Sequence, residues 1–164
     1  MRRNDSKVSA EELHPTQRSG SRRSSSQRSK RQESNRRPKT ILLVEDEAFV
    51  REVAREVLSR AGYRVLTAAN ATEATQLFRE QSGEIQLLLT DVVLPDRNGC
   101  DLALELSALH GTITSIFVSG YPENSITKGG LKQAGWFYLP KPFSIASLMQ
   151  KINEALPSAV ARPR

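Results

Sequence analysis

The chain holds a single cysteine, Cys100, so it cannot form an internal disulfide and nothing points to an oxidising compartment. No uninterrupted apolar run approaches the ~18 residues that a membrane-spanning helix needs. Arg2–Arg3 is followed by no apolar core of a secretory signal. These absences lead us to expect a cytoplasmic protein with no membrane segment. Residues 1–39 lack more: they have no aromatic residue, four apolar ones (Met1, Val8, Ala10 and Leu13), and four acids against 12 Lys and Arg. Such a stretch cannot bury enough apolar surface to offset the ~1–2 kcal/mol of backbone entropy lost per ordered residue. We therefore expect 1–39 to be a disordered, basic, Arg/Ser-rich tail. Its arginines can touch phosphates without reading sequence, which leaves open a weak polyanion contact. With nothing to stack on bases, a dedicated single-strand binder is disfavoured. An organelle transit peptide is disfavoured too, since the stretch carries Asp5, Glu11, Glu12 and Glu33 and has no apolar helical face.

What is present divides in two. The formal charge of +6 averages a tail of +8 and a remainder, residues 40–164, of −2. The 164 residues amount to about one domain, and 38% apolar with 26% charged residues suits a soluble globular protein. The folded part is expected over 40–156, about 117 residues, followed by a short flexible C-terminus at 157–164.

From Thr40 onward the periodicity alternates. Ile41–Val44 reads as a strand, and Val50, Val53, Ala54, Val57, Leu58 and Ala61 then follow the apolar stripe of a helix that Gly62 ends. Tyr63–Ala68 is a second strand. Asn70 caps a helix carrying Ala71, Ala74, Leu77 and Phe78. Ile85–Thr90 is a third strand, and Pro95 and Gly99 lead into a helix with Leu102, Ala103, Leu106 and Leu109. Ile113–Val118 is a fourth strand. Pro122–Ala134 should hold a helix weakened by Gly129–Gly130. Trp136–Leu139 is the fifth strand, and Ser144 caps a last helix with Ile145, Leu148, Met149, Ile152 and Leu156 on one face. Five strands, each followed by a helix at short spacing, mean an α/β protein: a doubly wound parallel sheet with helices on both faces.

In such a fold the chemistry gathers at the carboxyl ends of the strands. Those ends carry Glu45, Asp46 and Glu47 after strand one, Asp91 after strand three, Ser119–Gly120 after strand four and Lys141 after strand five. Carboxylates gathered at one edge repel each other unless a cation joins them, and an all-oxygen donor set suits Mg²⁺. A lysine and a hydroxyl facing the same point complete a pocket that can take a phosphoryl group onto a carboxylate. Each residue also has a plainer reading. Asp91 could be a turn residue, Glu47 a solvated helix-start acid, Tyr138 an amphipathic edge residue and Cys100 a small buried filler, with His14 and His110 surface histidines.

Four stretches, ILLVEDEAFV, LLLTDVVLPDRNG with the spacing D-x₃-P-x₃-G, IFVSGYP and FYLPKPF, together resemble the receiver domain of two-component response regulators. The resemblance covers about 40–156. SGY…GW…KPF is similar to the receiver modules of hybrid histidine kinases. It implies a flavodoxin-like (βα)5 sandwich with strand order 2-1-3-4-5. It also implies that Asp91 is the phospho-acceptor, phosphorylated by a sensor histidine kinase or phosphotransfer protein, and that the chain is a signalling module rather than an enzyme. Asp46 matches the direct Mg²⁺ ligand, Glu45 acts mainly through bound water, and Asp91 with the Val93 carbonyl completes the shell. Lys141 pairs with Asp91 and then with the phosphoryl group, while Ser119 and Tyr138 form the switch toward a downstream protein.

Val93 and Tyr121, two beyond Asp91 and Ser119, cannot orient a hydrolytic water, so we expect slow self-dephosphorylation. Arg97 stands where the family often has methionine. An FMN binder of the same topology is disfavoured, because Glu45-Asp46-Glu47 would repel its phosphate. An aspartate phosphatase would want an acid at Val93. Few residues follow Leu156, so no helix-turn-helix output is expected there. The expectation is a stand-alone receiver. The alternatives are a phosphate-sink or shuttle module of a hybrid-kinase relay, or a regulator whose basic tail contacts nucleic acid. Homodimerisation stays open.

Overall fold

The computed structural model describes residues 37–81, 83–120 and 135–157. Residues 1–36 of the tail expected over 1–39, the helix expected over 122–134, Tyr121, and residues 158–164 lie outside the described residues. The described elements run β1 (Thr40–Val44), α1 (Ala48–Arg60), β2 (Arg64–Ala68), α2 (Ala71–Glu80), β3 (Ile85–Asp91), α3 (Gly99–His110), β4 (Thr114–Ser119), β5 (Trp136–Pro140) and α4 (Ile145–Ala155). The strands form one parallel sheet in the order β2-β1-β3-β4-β5. No described helix is long and apolar enough to cross a membrane.

The uninterrupted apolar runs of the inner strands follow from burial on both faces. Side chains alternate across a strand, so Leu42, Val44, Leu88 and Phe117 enter one core with α2 and α3. Ile41, Leu43, Leu87, Leu89, Ile116 and Val118 enter the other with α1 and α4. The edge strand β2 is correspondingly less buried. Helix stripes are narrower than the sequence pattern suggests. Ala54 and Leu58 are buried in α1, but Val53, Leu109 and Ile145 remain exposed because they fall on the margin of the packed face.

Local chemistry sets the helix ends. Gly62 adopts φ +93°, a conformation that strains any residue with a Cβ, directly after α1. The Asn70 side chain accepts from Glu73 N–H at 2.8 Å while the Glu73 carboxylate accepts from Ala69 N–H at 2.7 Å, so α2 starts with its own reciprocal caps. Ser144 and Ser147 form a capping box on α4. The Lys39 ammonium donates to the carbonyls of Leu156 and Pro157 at 3.1 and 3.3 Å, tying the entry to β1 to the end of α4.

The Thr75 hydroxyl in α2 is buried without a hydrogen-bond partner. A desolvated, unpaired hydroxyl costs ~1–3 kcal/mol. Thr75→Val keeps the shape and removes the penalty, so its urea midpoint should rise, by about 1 kcal/mol of stability. A midpoint at or below that of the parent chain refutes this.

Candidate functional site

All five strands run the same way, so their carboxyl ends open onto one edge. Register then decides which side chains meet there. Val44 pairs with Thr90, which sets the β1 acids next to Asp91, and Ser119 pairs with Pro140, which sets Lys141 beside β4. Glu45, Asp46 and Asp91 each bring a carboxylate oxygen within 4.8 Å of the others. Glu45 is buried, Asp91 half-buried and Asp46 exposed. Glu47 is the exposed N-cap residue of α1, outside this trio.

Lys141 reaches from β5 past β4 into the cluster. Its Nζ lies 2.6 Å from Asp91 Oδ2 and 3.4 Å from Glu45 Oε2. Asp91 Oδ1 accepts from Val93 N–H at 3.1 Å, so both carboxylate oxygens are held. Burial pushes the Glu45 carboxyl above its ordinary pKa, against the lowering effect of the Glu47 N–H and the Lys141 charge. Burial would lower the Lys141 pKa, but its hydrogen bond to Asp91 and the charges of Glu45 and Asp91 outweigh this and raise it. The ammonium therefore stays protonated at neutral pH. Three carboxylates within reach of one point, all oxygen donors, fit a hard divalent cation such as Mg²⁺.

On the neighbouring strand Ser119 is buried, and its carbonyl accepts from Lys141 N–H at 2.8 Å and from the Tyr138 hydroxyl at 3.1 Å. Tyr138, half-buried on β5, is thus bonded to the same residue that borders Lys141. The Lys141–Pro142 peptide is cis. Cys100 packs half-buried against the core, and burial, with the Asp101 charge, pushes its thiol up to about 11. It is no nucleophile at neutral pH. His110 is exposed, its ring edge-on to Phe78.

Three contacts were not legible in the sequence. Arg51 Nη1 donates to the carbonyls of Glu45 and Asp46 at 2.6 and 3.2 Å and ties down the acidic loop. A Cβ on Gly99 would lie 2.2 Å from the Asp91 carbonyl oxygen, which is why glycine closes the D-x₃-P-x₃-G spacing. Asp96, in the loop after Pro95, accepts from Ala71 N–H, Thr72 N–H and the Thr72 hydroxyl on α2 at 2.9, 2.9 and 2.7 Å. Only the Asn70–Glu73 cap of that helix carries a local signal.

The hydrogen bond from Ala71 N–H, with those from Thr72, holds the Asp96 carboxyl at about 2, below its ordinary 3.8. A depressed carboxylate pKa means that the unfolded chain binds the extra proton first, so this contribution is complete above pH ~3.8. It is lost as pH falls toward ~2. In acid titrations of stability, Asp96→Asn should therefore flatten the slope between pH 4 and 2. An unchanged slope refutes the assignment.

A family model of the response regulator receiver domain matches residues 41–153. The chain is 40% identical over 117 residues to the sensor kinase CckA of Brucella abortus, covering 71% of this chain and 12% of that protein. It is 29% identical over 121 residues to the response regulator receiver protein CpdR of Brucella abortus, covering 74% of this chain and 99% of that one. Among solved structures, the receiver domain of the hybrid histidine kinase CckA superposes with a TM-score of 0.62 at 37% identity, covering 71% of this chain and 98% of that one. The chain spans about an eighth of the CckA kinase and about a quarter of the NtrC regulators that it also matches. Receiver domains are signalling domains that exchange phosphoryl groups with histidine kinases or phosphotransfer partners and act on downstream effectors, and they generally bind Mg²⁺ at an acidic cluster. The sheet order, the matched residues and the shared sequence agree, and the chain belongs to the response regulator receiver family.

Proposed function

We propose that the chain is a switch whose Asp91 takes a phosphoryl group from a histidine-bearing donor protein and whose altered state is read by a protein partner. The observation that carries this reading is Lys141 Nζ at 2.6 Å from Asp91 Oδ2, inside a cluster of three carboxylates. An Asp91 oxygen forms the new O–P bond as the P–N bond of the donor imidazole breaks. The electron pair returns to the ring nitrogen, which takes up a proton. Glu45, Asp46, Asp91 and the Val93 carbonyl would hold Mg²⁺, which when bound offsets charge on the phosphoryl oxygens. Lys141, which keeps its charge, moves from the carboxylate to the new phosphate. The Ser119 hydroxyl then bonds the phosphate, and because Tyr138 hangs on the Ser119 carbonyl, the ring follows.

Val93 presents an exposed apolar side chain beside Asp91 and offers no group to orient water, which supports a long-lived phospho-form. The near full-length matches to the receiver protein CpdR and to the chemotaxis protein CheY of Thermotoga maritima, 96% of whose length is covered, support a switch read by a partner, while the match to the CckA receiver keeps the relay module as the second reading. The test is uptake of phosphate from acetyl phosphate with Mg²⁺, compared with Asp91→Asn.

The rim of the site suits docking of a protein donor. Phe49 on the first turn of α1, Val93 after β3 and Ile145 on the first turn of α4 are 75%, 60% and 60% exposed, and all lie at the edge that holds Asp91. Apolar side chains around a charged pocket suit a partner surface that brings its own phosphohistidine. Phe49→Ala should slow transfer from a donor protein by roughly tenfold, about 1.4 kcal/mol, and leave uptake from acetyl phosphate unchanged. Equal loss with both donors refutes the docking role.

A further inference from the structure

We propose that Asp96 is a positioning residue for the phosphoryl-transfer site, holding the β3–α3 loop by a tertiary clamp on helix α2; this rests on the function proposed above. The loop leaves Asp91 and returns at Gly99, and its base is closed by Gly99 N–H to the Val92 carbonyl at 2.8 Å and by pairing of Val93 with Asn98. Its tip has little of its own: Leu94 N–H reaches the Arg97 carbonyl at 3.3 Å, and Arg97 pairs with Glu105.

Asp96 supplies what the tip lacks. Both of its carboxylate oxygens are bound to α2, Oδ1 by Ala71 N–H and Oδ2 by the amide and hydroxyl of Thr72. The helix does not need Asp96 to start, because the Asn70 side chain already accepts from Glu73 N–H and the Glu73 carboxylate from Ala69 N–H. The two amides left over are filled from 25 residues away in the chain, so the clamp joins two segments rather than ending one helix. What it steadies is the stretch whose Val93 amide orients Asp91 Oδ1 and whose Val93 carbonyl is the expected fourth metal donor. Buried Val92 and Leu94, either side of Val93, pack in the same core as Ala71. Losing the clamp frees the tip to shift Val93 while the core stays packed. Outer partners that orient a metal ligand are commonly worth 10–100-fold in affinity or activity.

The experiment compares three variants of the full chain by calorimetric Mg²⁺ titration and by uptake rate from acetyl phosphate, under conditions where circular dichroism shows each folded. Asp96→Ala should weaken Mg²⁺ binding and slow uptake by about tenfold, the low end of that range. Asp96→Asn, which keeps one acceptor oxygen, should fall between, and it decides the matter if the alanine variant does not fold. Asn70→Ala removes a cap from the same helix without touching the loop and should leave both readouts within about twofold of the parent. If both Asp96 variants match Asn70→Ala, Asp96 only stabilises the fold and the proposal is overturned, while the phosphoryl-accepting reading stands. If the parent chain neither binds Mg²⁺ nor takes up phosphate, both fall.

Discussion

Asp91→Asn should remain folded yet take up no phosphate from acetyl phosphate or from a donor protein. The side chain keeps its shape and an oxygen for the Val93 N–H that now lies 3.1 Å from Oδ1. It loses the negative oxygen that attacks phosphorus in the proposed transfer, and the neighbouring acids are placed differently. Glu45 is buried and Asp46 exposed; Lys141 meets Asp91 at 2.6 Å but Glu45 only at 3.4 Å. Removing a nucleophile from a preorganised site typically costs many orders of magnitude, so uptake should fall at least a thousandfold. Acid-stable, base-labile phosphate on the protein, followed by mobility-shift gel, reads this directly. Uptake that survives the substitution would place the acceptor elsewhere.

Gly99→Ala should cost about 3 kcal/mol and lower the thermal midpoint by roughly 10 °C. The added methyl would lie 2.2 Å from the Asp91 carbonyl oxygen and 3.1 Å from Thr90 Oγ1. Neither can yield cheaply. The first is backbone at the end of β3, and Thr90 is fully buried with its hydroxyl bonded to that same carbonyl at 2.9 Å. Relief must come from moving the start of α3 away from the strand, or Asp91 with its strand end. Phosphate uptake should therefore drop along with stability, even where the variant is folded. A thermal midpoint equal to that of the parent chain would show that the close approach is relaxed in solution.

The inner strands were legible because burial on both faces leaves no polar position to blur them, as in Leu87–Leu89. Asn70 and Ser144 were legible because a cap is a contact between near neighbours in sequence. Asp96 was not. Its partners, Ala71 and Thr72, are far away in the chain, and an aspartate after a proline has the same local chemistry whether it faces water or a helix. Val53, Leu109 and Ile145 were placed with the core by their spacing, yet spacing says only which side of a helix they share. How far the neighbouring sheet extends decides whether that side is covered.

Alternating short strands and helices were enough to determine a doubly wound α/β domain, because parallel strands require crossovers and the crossovers have one hand. Residue type and order also placed four acids, a lysine and a hydroxyl at strand ends. The family resemblance added the strand order and the Asp91–Lys141 pairing, and the tertiary structure supplied the distances at which they meet. Sheet order sets β1 beside β3, a long Lys141 side chain spans β4, and the Asp96 clamp comes from a different segment. Each of these depends on distances across the fold, and a linear pattern carries periodicity but no such distances.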